Sequence, residues 1–170
     1  MPDDFIRPWG DPALYERAEP IAIFDDLLRA RAARLCRTLE HADGAGLAAT
    51  QVGWLRRLFA FRLGREQTAD VLVNPRVVWH SEQVETFVEG CLSFSAVPVA
   101  VRRPFAVRIE GFDVYGNRVE LECEDFSASL MQHEIDHLDG ILTLHRADRA
   151  ERHRAITELL SGTTGDLLAA

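Results

Sequence analysis

Gln132-His133-Glu134-Ile135-Asp136-His137-Leu138-Asp139-Gly140 decides how the rest of the chain is read. A helix advances about 100° per residue, so histidines four apart stack on one face, roughly 40° from each other. His133 and His137 satisfy that spacing, and Glu134 stands at the edge of the same face. H-E-x-x-H on a helix suits metal-assisted hydrolysis: two imidazoles hold one ion, and the carboxylate reaches water beside it. Such a helix needs a third ligand. Leu130, Met131, Ile135 and Leu138 surround the histidines with apolar positions, which predicts a buried helix over residues 125–139 closed by Gly140.

The chain has 170 residues, enough for one domain with a real core. With 47% hydrophobic and 27% charged residues, its composition is ordinary for a soluble globular protein. The formal net charge of −8 argues against direct nucleic-acid binding through a broad basic surface. All 19 basic residues are arginine. The acidic start Met1-Pro2-Asp3-Asp4 does not read as a secretory signal, and no apolar run is long enough for a membrane span. Three cysteines, Cys36, Cys91 and Cys123, are too few and too odd for a disulfide framework; they fit a reducing, cytoplasmic compartment.

Along the chain, residues 1–20 are broken by prolines and read as a surface arm. Residues 24–41 carry Leu28, Ala32, Leu35, Cys36 and Leu39 at helical spacing, with Asp25 or Asp26 at the start. Cys36 is read as a buried small hydrophobe and His41 as a solvated helix end. Gly44-Ala45-Gly46-Leu47-Ala48-Ala49-Thr50-Gln51-Val52-Gly53 reads as a tight turn into a buried strand, or as backbone approaching a ligand closely. From Leu55 to Cys123 the pattern is β, with strands expected at Leu58–Phe61, Val71–His80, Glu85–Glu89 and Phe105–Glu110. Pro75 demands an edge or a break, and Tyr115-Gly116-Asn117 turns the chain back into Val119–Cys123. Ile141–Leu144 is read as a short strand and residues 147–160 as a polar helix. His80, His145 and His153 are read as solvated, and the tail Ser161–Ala170 as mobile. The whole is expected to be one α+β domain over residues 1–170.

Glu89-Gly90-Cys91-Leu92-Ser93-Phe94 offers the missing ligand. Cys91 follows a glycine at a strand end, where backbone can be held close to an ion, and it leaves a fourth tetrahedral position open. Three segments, Gly44–Gln51, Glu89–Ser93 and Gln132–His137, together resemble the motifs of peptide deformylases, in the family's order and at about its spacing.

The resemblance implies antiparallel strands packed around a central metal-binding helix. It implies one divalent metal, commonly Fe2+ with Zn2+, Ni2+ or Co2+ able to substitute, held by Cys91, His133 and His137. The implied activity removes the formyl group from the N-terminal methionine of nascent peptides, at or near the ribosome. Glu134 would be the proton carrier, the Gln51 amide and Leu92 backbone N–H the oxyanion donors, and Gly46 with Ala45 the substrate-binding residues. Glu89 and Arg103 would form a pair steadying the Cys91 loop, against a surface charge pair as the alternative. Departures from the family pattern at Ala45, Ser95, Pro98, Ser127 and Ser129 fall near the expected side-chain pocket. They leave room for a deformylase of another N-formyl compound. A catalytically silent peptide-binding relative would have lost Glu134, Gln51 or a ligand, and all are present.

Overall fold

The computed structural model describes residues 5–64, 67–94 and 97–167, the last helix by backbone alone beyond Ser161. Seven strands, β1 (Gly46–Ala48), β2 (Leu58–Phe61), β3 (Asp70–His80), β4 (Val84–Glu89), β5 (Val99–Pro104), β6 (Ala106–Phe112) and β7 (Arg118–Glu124), combine with four helices. These are α1 (Asp26–His41), α2 (Asp125–Leu138), the single turn α3 (Thr143–Arg146) and α4 (Arg149–Leu167). Five strands form an antiparallel sheet in the order β1-β2-β3-β6-β7, and β4 pairs with β5 in a second, two-stranded sheet.

Alternation along the strands decides which helix covers which face. Ala48, Phe59, Leu72, Val107 and Ile109 point to one side and pack against Ala128, Met131, Ile135 and Leu138 of α2. Leu47, Leu58, Ala60, Val71 and Val73 point to the other and meet Leu28, Ala32, Leu35 and Leu39 of α1. The metal-motif helix is therefore central: the large sheet lies on one side, and β4–β5 reaches it from the other through Glu89 and the Pro104 carbonyl, which accepts from Gln132 Nε2 at 3.1 Å. A third apolar cluster, including Leu14, Phe94, Val99, Val101, Leu142 and Ala155, fastens the N-terminal arm, β5, α3 and α4 together.

Asp25 caps α1, accepting from the Leu28 N–H at 2.8 Å. Pro75 sits inside β3 where the register shifts between Val73 and Arg76, so the expected break is a bulge within one strand. Asn74 next to it has φ 51°, and its amide grips the arm, accepting from Ile21 N and donating to Ile21 O, both at 2.8 Å. The Asp113–Asn117 turn is held by the Asp113 carboxylate, with Gly116 at φ 87°.

Two expectations are corrected. Ile141–Leu144 does not form a strand; Leu142 leads into α3, where the His145 Nδ1 accepts from the Leu142 N–H at 2.9 Å. A four-residue apolar run carries no period of its own, and burial here comes from the third cluster. The last helix also continues to Leu167, past the expected end at 160, while residues 168–170 lie outside the described residues. Cys36 is half-buried against the α1 core, and burial pushes its thiol up to about 11. His41, His80 and His153 are exposed.

Candidate metal centre and cleft

α2 is capped by Glu124, whose backbone N–H and C=O are bonded by the Ser127 hydroxyl at 3.1 and 2.7 Å. Its far end is tied down where Thr50 Oγ1 donates to the His137 carbonyl at 3.2 Å. Between these anchors, His133, Glu134 and His137 are all buried. β4 ends at Glu89, Gly90 turns the chain, and Cys91 is delivered opposite the helix.

The structure brings Cys91, His133 and His137 together. Their ligand atoms lie within 4.8 Å of one another, with Cys91 Sγ 3.3 Å from His137 Nε2 and the two Nε2 atoms 3.2 Å apart. Tetrahedral coordination with metal–nitrogen bonds near 2.0–2.1 Å separates two ligand nitrogens by about 3.3 Å. The electrostatics also fit a cation. Burial opposes charge on His133, yet the neighbouring Cys91 and Glu89 raise its pKa well above the usual value, so positive charge is favoured at this point. Burial pushes His137 well below its ordinary range, favouring the neutral imidazole, the form that can bind a metal.

The two histidines are oriented unequally. His133 Nδ1 is 2.9 Å from Glu89 Oε2, whereas His137 Nδ1 is buried with no hydrogen-bond partner among the described residues. Glu89 also takes Arg103 Nε and Nη2 at 2.5 and 3.0 Å and the Ser129 hydroxyl at 2.9 Å. Burial would raise the Glu89 pKa, but these bonds from His133 and Arg103 hold it down at about 2. Both Glu89 and Arg103 are buried, so the pair is no surface ornament. Arg103 then reaches Asp136 at 2.8 Å, and Asp136 is clasped from outside by Arg146 at 2.6 and 3.1 Å. Sequence reading missed Asp136 and Arg146; the only local signal was a buried-face position occupied by aspartate inside the H-E-x-x-H motif.

Glu134 is 2% exposed, and burial lifts its carboxyl to about 7. Its Oε2 has no hydrogen-bond partner among the described residues. Gly46 faces α2 because Leu47 faces α1, and a Cβ at Gly46 would run into the Glu134 carboxylate. Gln51 is buried; its Oε1 accepts from Ala48 N at 2.8 Å, which turns Nε2 toward Ser93 Oγ (3.1 Å) and Cys91 Sγ (3.6 Å). Leu92 opens a short 3-10 turn immediately after Cys91.

Gly46, Gln51, Cys91, Leu92, His133 and Glu134 line one cleft of about 460 Å3, together with Ala45, Phe87, Leu130 and Phe126. Of the departures noted in sequence, Ala45 and Ser129 line it. Ser127 does not, being spent on the helix start, and Pro98 turns its carbonyl to Arg154 Nη2 at 2.5 Å. Ser95 lies outside the described residues.

A polypeptide deformylase family model matches residues 4–153. The chain belongs to the polypeptide deformylase family. Among relatives of this deformylase-family chain, a peptide deformylase of Thermotoga neapolitana is 40% identical over 147 residues, covering 86% of this chain and 88% of that protein. A peptide deformylase 1 of Corynebacterium glutamicum is 41% identical over 155 residues, covering 89% and 90%. The crystal structure of a Legionella pneumophila peptide deformylase superposes with a TM-score of 0.89 at 30% identity, covering 98% of each chain. The α+β architecture with its central helix is thus that of a hydrolase family. No helix among the described residues is long and apolar enough to cross a membrane.

Proposed function

We propose that this chain is a metal-dependent hydrolase that removes the formyl group from the N-terminal methionine of nascent peptides. The observation that carries the reading is the convergence of three ligand atoms beside an apolar cleft lined by Cys91, His133 and Glu134, where the buried Glu134 Oε2 has no hydrogen-bond partner among the described residues. In this reading Cys91, His133 and His137 hold one divalent ion, Fe2+ being the choice the family resemblance favours. When bound, that ion supplies Lewis acidity, activating water near neutral pH and polarising the formyl carbonyl.

The chain's own groups do the rest. Glu134, with its pKa near neutrality, takes the proton of the attacking water at the free Oε2 and later gives it to the leaving amine. Gln51 Nε2 and the Leu92 backbone N–H donate to the oxygen that becomes negative as the formyl carbon turns tetrahedral. β1 is an edge strand of the large sheet, so an extended peptide can lie along Ala45 and Gly46 by backbone pairing. The missing side chain at Gly46 leaves Glu134 within reach of the peptide's first amide. Phe87, Leu92, Phe126 and Leu130 favour an unbranched apolar side chain such as methionine, and the hydroxyl of Ser129 is already committed to Glu89.

We place the reaction in one catalytic domain spanning residues 1–170, in the cytoplasm, on chains leaving the ribosome. The small side chains at Ala45 and Ser129 support a second reading, a larger or different N-formyl substrate. Formate release from formyl-methionyl tripeptide and from free formyl-amino acids, measured on protein purified without oxygen, separates them; no turnover of the peptide overturns the first. Glu134→Ala is expected to keep its metal by elemental analysis and to lose at least about 10²-fold in kcat. Cys91→Ser is expected to lose or exchange metal. Near-normal turnover by Glu134→Ala would sink the mechanism.

A further inference from the structure

Behind α2, on the side away from the catalytic cleft, lies a second cavity of about 410 Å3. Five arginines line it: Arg57, Arg76, Arg102, Arg103 and Arg146; the lining carboxylates are Asp136 and Asp139. On a chain of net charge −8 this is a local reversal of sign.

Partners can be assigned one by one. Arg57 pairs with Asp139 at 2.7 Å, and Arg76 with Glu110 at 2.6 Å. Arg103 is consumed by Glu89 and Asp136, and Arg146 clasps the outer side of Asp136 while its side chain stays 47% exposed. Arg102 is different. It is exposed on β5 opposite Thr86, lines the cavity, and its side chain makes no hydrogen bond or ion pair among the described residues. Asp136 and Asp139 each serve two arginines, since Arg17 also approaches Asp139 at 3.7 Å. Asp136 is bonded on both oxygens and Asp139 on Oδ1, while guanidinium donors remain, on the Arg102 side chain wholly and on exposed Arg76 and Arg146 in part.

We propose that this cavity is a binding site for a phosphate-class oxyanion, with Arg102 as its free arm and Arg76 and Arg146 as flanking donors. Guanidinium forks match tetrahedral oxyanions by paired N–H bonds, which a compact ammonium would not provide. The cavity holds several water volumes, enough for a phosphate that keeps part of its hydration. The site does not depend on the deformylase reading, because none of its free donors touches the metal-binding residues.

The test is a titration of the zinc-loaded protein followed through arginine Nε–H NMR resonances, with inorganic phosphate in one arm and dimethyl phosphate in the other. Saturable shifts confined to the resonances of Arg102, Arg76 and Arg146 are expected. Stronger response to inorganic phosphate assigns a terminal phosphate; equal or stronger response to the diester assigns a backbone phosphate. Arg102→Ala is expected to weaken binding by about tenfold, with unchanged melting temperature and unchanged formate release. No saturable shift with either anion, or binding untouched by Arg102→Ala, overturns the proposal.

Discussion

Gly46 is the residue at which one methyl group has the largest consequence. Its α-carbon faces α2 because the strand alternates, and a Cβ there meets the Glu134 carboxylate. Gly46→Ala is therefore expected to push Glu134 off its position while leaving Cys91, His133 and His137 alone. Full metal content with a kcat reduced by roughly 10²-fold, the scale of a one-ångström misplacement, is the expected result. A kcat within twofold of wild type would show that Glu134 has slack. At this scale the sequence was informative, because His133, Glu134 and His137 speak through local helical geometry, and Cys91 through its glycine and strand end. Asp136 and Arg146 stayed silent. Their role depends on Arg103, which arrives from a strand 33 residues away and leaves no trace in any local period.

Among elements, the joint between α2 and the β4–β5 sheet rests on Arg103, which is 4% exposed and bridges Glu89 and Asp136. Arg103→Met keeps volume but removes the buried cation between two buried carboxylates, leaving Glu89 to His133 and Ser129 and Asp136 to Arg146. A loss of about 3–5 kcal/mol is expected in denaturant unfolding, with metal affinity falling because His133 loses its oriented partner. A change below 1 kcal/mol would mean the carboxylates find other donors. Asn74 makes the corresponding joint between β3 and the arm. Asn74→Ala removes both bonds to Ile21 and places alanine at φ 51°, so roughly 2 kcal/mol and faster proteolysis of the arm are expected. Helices α1 and α2 and the β6–β7 hairpin were legible because each carries its own period. The turn α3 was not, because Leu142 and Leu144 are buried by the arm, β5 and α4 rather than by a pattern of their own.

For the whole molecule, acid exposes how the metal-free fold is held. Glu89 has a pKa of about 2 in the folded chain against an ordinary 4.5. A folded carboxyl pKa below the unfolded one adds stability above pH 4.5, and that stability drains away as pH falls toward about 2. Metal-free protein is expected to lose a few kcal/mol across that window, and Glu89→Gln to start lower and show a flatter profile. Parallel profiles for the two proteins would assign acid sensitivity to other carboxylates. The sequence could place Glu89 beside Cys91, but not in a buried network. Its depth follows from two sheets closing on one helix, a property of the assembled chain.

Cys91 and His137 stand 46 residues apart, on opposite walls that meet only when β4–β5 has docked onto α2. That separation sets an order in time. A chain still being synthesised carries Cys91 long before His133 and His137, and no fragment ending before His133 offers more than one of the three proposed ligands. On the proposed ligand set, ion uptake is a late event in the life of each molecule, after the helix has been made and seated. A chain halted before His133 would hold Cys91 as the one member of the proposed ligand set, and would lack both imidazoles of α2.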